Sequence, residues 1–301
     1  MDTEITLQHG DWKARVAPHG ASLRGAWFRD DEVLTAYSGK DNKQGGQGDV
    51  LIPFPGRIGG AKYTWDGVEY TLEANDKDGP NAIHGFVRTV DWETIEQTAT
   101  SATFSLDFTG ALGYPFRFTA RITYSVDDSG LSCYFEVQNG DTVDIPMAAG
   151  FHPYFTTGSE SIETEDLELP FESVLEMERF IPTGKILDSA RAGFDYYSPR
   201  PIGSTVFNSC FLKPEPDCDG LTSVKMLGNG KVVTVWMDKS FPYVVIYSGE
   251  NLPTELRRRS LAIEPMACGS DAFNHPEWGL ARLAPGETLS GAWGVRASLV
   301  Q

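Results

Sequence analysis

Hydrophobic and polar positions alternate with period two along most of this chain. Across residues 102–108, Phe104, Leu106 and Phe108 share one face, while Thr103, Ser105 and Asp107 share the other. That is the signature of a half-buried strand. Residues 116–126 repeat the alternation, and residues 131–137 resume it after the polar turn Asp127-Asp-Ser-Gly130, which predicts a hairpin. Two more hairpins are predicted, one through Gly228-Asn-Gly230 into residues 231–237 and one through Asp66-Gly67. No window sustains three turns of i, i+3, i+4 spacing. The single helical candidate is residues 172–180, one or two turns held between Pro170 and Pro182. Residues 39–48, polar and rich in glycine, read as a surface loop rather than a boundary. Short strands punctuated by turns predict an all-β chain, a single large antiparallel β-sandwich domain over residues 1–301.

Composition narrows the function classes. The chain has 301 residues, 41% of them apolar, with 42 acidic against 25 basic side chains and a formal charge of −17. Such a surface repels a phosphate backbone, so nucleic acid is not an expected partner. The four cysteines, Cys133, Cys210, Cys218 and Cys268, form no C-x-x-C pair, and thiols of this kind suit a reducing compartment. The first ten residues lack a basic stretch followed by an apolar one, and no run reaches the length of a membrane span. A cytoplasmic location without membrane contact is expected.

Candidate chemistry sits in three largely apolar segments, each holding one titratable residue. His152 lies in Gly150-Phe-His-Pro-Tyr-Phe155, His84 in Asn81-Ala-Ile-His-Gly-Phe86, and Glu264 in Leu261-Ala-Ile-Glu-Pro-Met266. Pro153 holds His152 extended, and its aromatic neighbours partly desolvate it, which makes its protonation tunable near neutrality. Arg57 ends another apolar, proline-rich run, Leu51-Ile-Pro-Phe-Pro-Gly-Arg57; its planar fork of donors suits hydroxyls or a carboxylate. Two histidines and a glutamate also match a 2-His-1-carboxylate metal set. Neither His84 nor His152 opens an H-x-D, H-x-x-x-H or H-x-E pair that would anchor one, so no metal is expected. A G-x-S-x-G nucleophile elbow is absent as well.

Taken in order, these segments resemble the aldose 1-epimerase (galactose mutarotase-like) family. The run through Arg57 with the hairpin Tyr63-Thr-Trp-Asp-Gly67 is similar to the family's arginine motif. The segments around His84 and His152 resemble its two histidine motifs, and Glu264-Pro-Met-Ala-Cys-Gly-Ser-Asp-Ala-Phe-Asn274 its glutamate motif. Leu283-Ala-Pro-Gly-Glu287 and Ala292-Trp-Gly294 resemble the closing strand. The resemblance implies the family's β-sandwich and a cofactor-free interconversion of sugar anomers. Glu264 would be the general base and His152 the general acid, with Arg57 and His84 orienting the sugar. His152 is then expected to rest protonated and Glu264 ionised. Trp65, Phe86, Tyr154 and Trp236 are candidates for an apolar wall, most of them more naturally core.

Two positions depart from the family pattern. Gly56 stands where Asn usually precedes the arginine, and Asn208 stands where an Asp is usual. Asn208 keeps a substrate-binding assignment, with its contacts to hydroxyls changed by the loss of charge. Asp217 and Asp219, just downstream, are candidate replacements for the missing acid. Two alternative functions follow: a hexose-6-phosphate 1-epimerase on the same fold, with Arg88 as phosphate ligand, or a non-catalytic sugar-binding protein. The partner implied in each case is a small-molecule sugar, taken by a monomer or homodimer.

Overall fold

A computed structural model describes residues 3–300; Met1, Asp2 and Gln301, which belong to the 1–301 span and to the terminal segment read above, lie outside the described residues. The three expected hairpins form where their turns were read, as Phe118–Asp127 with Gly130–Asn139, Thr222–Gly228 with Lys231–Met237, and Lys62–Trp65 with Val68–Thr71. The strand expected at residues 102–108 is Ser101–Phe108.

Two large antiparallel sheets make the sandwich. Among the described residues the smaller has nine strands, with Phe118–Asp127, Gly130–Asn139, Thr288–Leu299 and Lys231–Met237 adjacent at its centre. Alternation sends Phe118, Ala120, Ile122, Tyr124 and Val126 inward from one strand and Leu131, Cys133, Phe135 and Val137 from the next. The larger sheet has twelve strands and runs through Trp12–Ala17, Ser22–Phe28, Asp31–Leu34, Tyr154–Phe155, Leu261–Met266, Tyr243–Tyr247, Asn208–Pro214 and Phe171–Glu178. Side chains of both layers meet in one core. Phe151 of the larger sheet packs on Phe135 and Trp293 of the smaller, with ring centroids 5.9 and 5.5 Å apart. The Tyr124 hydroxyl crosses the layers to donate to the Ala21 carbonyl at 2.9 Å. Each such buried side chain contributes about 1.5–3 kcal/mol.

The helical expectation for residues 172–180 fails. Phe171–Glu178 is a strand, paired with Asn208–Pro214 on one side and Ile181–Asp188 on the other. Leu, Glu and Met favour a helix locally, but a segment this short buries Phe171, Val174 and Leu175 only as part of the sheet. Tertiary pairing overrides propensity here.

Candidate active site

Strand parity decides which face carries chemistry. In Leu261–Met266, Leu261 and Ile263 enter the main core, while Ala262, Glu264 and Met266 point to the opposite face. Register then sets Glu264 beside Val245, and Val245 beside Cys210. One step along, Asn208 pairs with Tyr247 and Tyr247 with Ala262. Glu264, Val245, Cys210, Tyr247 and Asn208 accordingly line one cavity of about 550 Å³.

His152 reaches the same cavity through an interrupted strand. Gly150 pairs with Met266 and Tyr154 with Ala262, so His152 falls opposite Glu264 although the ladder is broken between. Proline at 153 removes one ladder donor, and the His152 amide donates instead to the Asp49 carbonyl at 3.0 Å. The imidazole Nε2 lies 3.4 Å from Glu264 Oε1. Tyr154 stacks on the imidazole, centroids 5.2 Å apart, and its hydroxyl donates to the Gly45 carbonyl at 2.7 Å. The loop at residues 39–48 is thereby part of the cavity wall, with Lys43, Gln44, Gly45 and Gly46 on its lining.

His84 and Arg57 come from a small two-stranded ladder at the rim, where Arg57 pairs with Ile83. His84 has φ of 64° and its amide donates to the Gly56 carbonyl at 2.9 Å. Gly85, also at φ of 64°, passes so near Ile52 that a β-carbon would lie 2.1 Å from its carbonyl oxygen. Only glycine fits there, and the turn it permits throws the His84 ring edge-on to His152 at 5.3 Å. Arg57 donates from Nε to Asp76 Oδ2 at 2.7 Å and from Nη2 to Asp78 Oδ2 at 3.3 Å. Asp76 also accepts from the Asn81 amide and the Asp78 backbone N–H. Burial works to raise the Asp76 carboxyl, and these hydrogen bonds outweigh it, holding the group below its ordinary value.

All five residues singled out from the sequence therefore line one cavity: Arg57, His84, His152, Asn208 and Glu264. Asp76 was not foreseen, because a carboxylate in a polar turn carries no distinguishing pattern. Asp217 and Asp219 do not replace the missing acid: both are exposed, and Asp217 caps its own turn by accepting from Asp219 and Leu221. Trp65, Phe86, Tyr154 and Trp236 are not on the lining; Trp65 and Phe86 pack in or against the core, and the aromatic ring that does line the cavity is Tyr247. The Gly56 departure has a steric partner, since a β-carbon there would lie 2.9 Å from Ser270 Oγ. The space from which an asparagine side chain would start is already filled by Ser270.

Burial also shifts the proton affinities of the site. It drives His152 down to about 3 and His84 well below its ordinary value, and it pushes Glu264 well above the carboxylate range, with Arg57 opposing the last shift. Lys43 and Arg88 further disfavour a charged His152. Burial thus disfavours the charged form of both partners, a direction opposite to the expected protonated His152 beside an ionised Glu264. His152 Nδ1, His84 Nδ1 and Glu264 Oε2 are buried without hydrogen-bond partners among the described residues. Among the described residues, no three His, Cys, Asp or Glu side chains are disposed to share a metal ion.

With this geometry in hand, the comparisons with known proteins decide the family. A family model described as aldose 1-epimerase matches residues 3–295. The chain belongs to the aldose 1-epimerase family. Members of this family are isomerases acting on sugars. The Escherichia coli K12 protein YihR is 29% identical over 271 residues, covering 90% of this chain and 85% of its own. A maltose epimerase of Levilactobacillus brevis is 27% identical over 253 residues, covering 74% and 71%. Among solved structures, the GalM/aldose epimerase homologue from C. elegans superposes over both full chains with a TM-score of 0.88 at 20% identity, a likeness of fold. No helix among the described residues is long and apolar enough to cross a membrane.

Proposed function

We propose that this aldose 1-epimerase family member interconverts the α and β anomers of a free aldose by acid–base opening and reclosure of the ring, with Glu264 and His152 as the proton-handling pair. The observation that carries the reading is the 3.4 Å approach of His152 Nε2 to Glu264 Oε1 at the cavity lining. The anomeric hydroxyl and the ring oxygen are bonded to the same carbon, so a base for one and an acid for the other must stand side by side. A cross-strand pair supplies that spacing.

Ring opening removes the C1 hydroxyl proton and delivers a proton to the ring oxygen, leaving an open-chain aldehyde. Rotation about C1–C2 offers the other carbonyl face, and closure reverses both transfers. In the forward step Glu264 takes the hydroxyl proton while His152 protonates the ring oxygen; on closure the roles exchange. The pair needs only one proton between its two groups. A sugar hydroxyl donating to Glu264 and a ring oxygen accepting from His152 favour moving that proton to the imidazole. Each group contributes about 10²–10⁴-fold. Arg57 and His84 orient the sugar. Asn208, whose amide has no hydrogen-bond partner among the described residues, contacts a hydroxyl.

A second reading has a specific observation behind it. Lys43 and Arg88 both line the cavity, and both contact the one buried carboxylate of Asp49, at 2.6 and 3.3 Å. Two cations against one carboxylate leave a surplus positive charge, which favours an aldose bearing an anionic group such as a 6-phosphate. Polarimetry of freshly dissolved α-anomers tests both readings. Neutral aldoses, a disaccharide such as maltose and a hexose 6-phosphate are compared, each with and without the protein. Acceleration of neutral sugars supports the first reading, and acceleration of the phosphate alone supports the second. Tight binding by calorimetry with no acceleration of any sugar would leave a non-catalytic sugar-binding protein.

A further inference from the structure

The hairpin Phe171–Glu178 with Ile181–Asp188 turns through two residues, Arg179 and Phe180. Both have positive φ, 49° and 67°. A two-residue hairpin turn of this kind is ordinarily built from Asn-Gly or Gly-Gly, because L side chains resist that backbone region. The register also slips between Leu175 and Met177. A bulge re-aims the end of a strand, and Met177 thereby joins the cavity lining. The strand leading to the tip thus touches the cavity at Met177, and the tip is closed by a turn its residues do not favour.

What the turn secures is a ring. The Arg57 guanidinium carbon lies 4.9 Å from the centroid of Phe180. Asp76 and Asp78 grip Arg57 at Nε and Nη2, and the guanidinium sits over the Phe180 ring. Arg57 is also the one cation opposing the upward shift of Glu264. A guanidinium held at its edge alone can swing about that edge; a ring against its face removes the freedom.

We propose that Phe180 is a positioning residue for Arg57: the strained hairpin tip holds the guanidinium at the angle that orients the sugar and keeps its charge directed at Glu264. This rests on the reading of the cavity as a mutarotase site. It adds a contact from outside the cavity lining and from the segment expected to be helical.

The test uses Phe180→Ala and the double variant Arg179→Asn/Phe180→Gly, which installs the favoured turn pair and is expected to raise Tm by on the order of 2–4 °C. Mutarotation of α-D-glucose and α-D-galactose is followed by polarimetry across pH. Both variants are expected to raise KM by roughly tenfold with kcat changed less than about threefold. The pH limb belonging to Glu264 moves upward, and Phe180→Tyr restores both. A readout independent of turnover is the Arg57 Nε–H resonance in arginine-labelled protein. It is expected to lose its ring-current shift and exchange faster with water in both variants. Unchanged KM and pH limb in a stabilised double variant would overturn the proposal, as would exchange of the Arg57 N–H as slow as in the parent. If the parent accelerates neither sugar, the mutarotase reading of these sugars fails instead, and the Arg57 resonance alone decides the positioning role.

Discussion

In the nine-stranded sheet, Phe118–Asp127, Gly130–Asn139 and Thr288–Leu299 run for ten, ten and twelve residues in unbroken register. Among the described residues, none of its strands reaches the cavity. The larger sheet is cut into pieces where it borders the cavity: Val50–Leu51, Gly150–Phe151 and Tyr154–Phe155 are two-residue strands. The regular sheet stores apolar burial, and the interrupted one spends part of its pairing to aim His152 at Glu264. A continuous ladder satisfies every backbone group and leaves no concavity. The missing pairings of His152 are met by the loop at Gly48 and Asp49, and the Pro153 carbonyl accepts from the Ile263 N–H; that loop closes the cavity wall.

The sharpest way to break this division is to remove the proton carrier from the interrupted sheet. Glu264→Gln keeps the shape, and kcat is expected to fall by about 10²–10⁴-fold, measured by polarimetry, with sugar affinity by calorimetry largely kept. His152→Asn is expected to do the same. A fall of less than tenfold in both would remove the pair from the mechanism.

The converse cut falls in the regular sheet. Phe135→Ala is expected to cost about 3–5 kcal/mol of stability, read by urea unfolding, while kcat below the transition stays within about twofold of the parent. A large loss of kcat in the folded variant would show that the two sheets do not divide their labour.

Stability against pH sharpens the comparison further. Glu264 holds its proton more tightly folded than unfolded, so its contribution is greatest below 4.5 and is lost as pH climbs toward its raised value. The Tm advantage of Glu264→Gln over the parent is therefore expected to grow with pH above 4.5. His152 behaves oppositely: its contribution is present above 6.5 and is lost as pH falls toward about 3. His152→Asn is expected to flatten part of the acid-side loss in that window, with His84, also depressed, retaining the rest. A Tm difference for Glu264→Gln that does not vary with pH would contradict the raised proton affinity of that carboxyl.

Smaller effects probe the cavity's margin. Asn208→Asp is expected to change the ratio of kcat/KM between epimeric sugars by roughly tenfold with no change in Tm beyond about 2 °C. Equal ratios in parent and variant would take Asn208 out of substrate contact. Asp217→Ala, which removes only a turn acceptor, is expected to cost at most about 1 kcal/mol and leave the kinetics alone; a kinetic effect would reopen its assignment as a substitute acid.

Much of this was legible along the chain. Period-two alternation and turns such as Gly228-Asn-Gly230 located the three hairpins, because one buried face and a positive-φ turn are local requirements. His84, His152, Glu264, Arg57 and Asn208 stood out as polar residues in apolar runs or by family resemblance, and they share one cavity. Residues 172–180 misled, because their helix-forming side chains are outweighed by strand neighbours far away in sequence. Asp76 and Phe180 carried no signal, since a turn carboxylate and a hairpin ring gain meaning only from what stands across from them.

The sequence by itself determined the strand periodicity, the turns and the residue types available for acid–base work, since each depends on near neighbours and on backbone preference. The tertiary structure alone decided that His152 falls in register opposite Glu264, that Arg57 is gripped by Asp76 under the Phe180 ring, and that burial raises the Glu264 carboxyl while lowering the His152 imidazole. Register, burial and electrostatic field are sums over residues distant along the chain, and no local pattern encodes them.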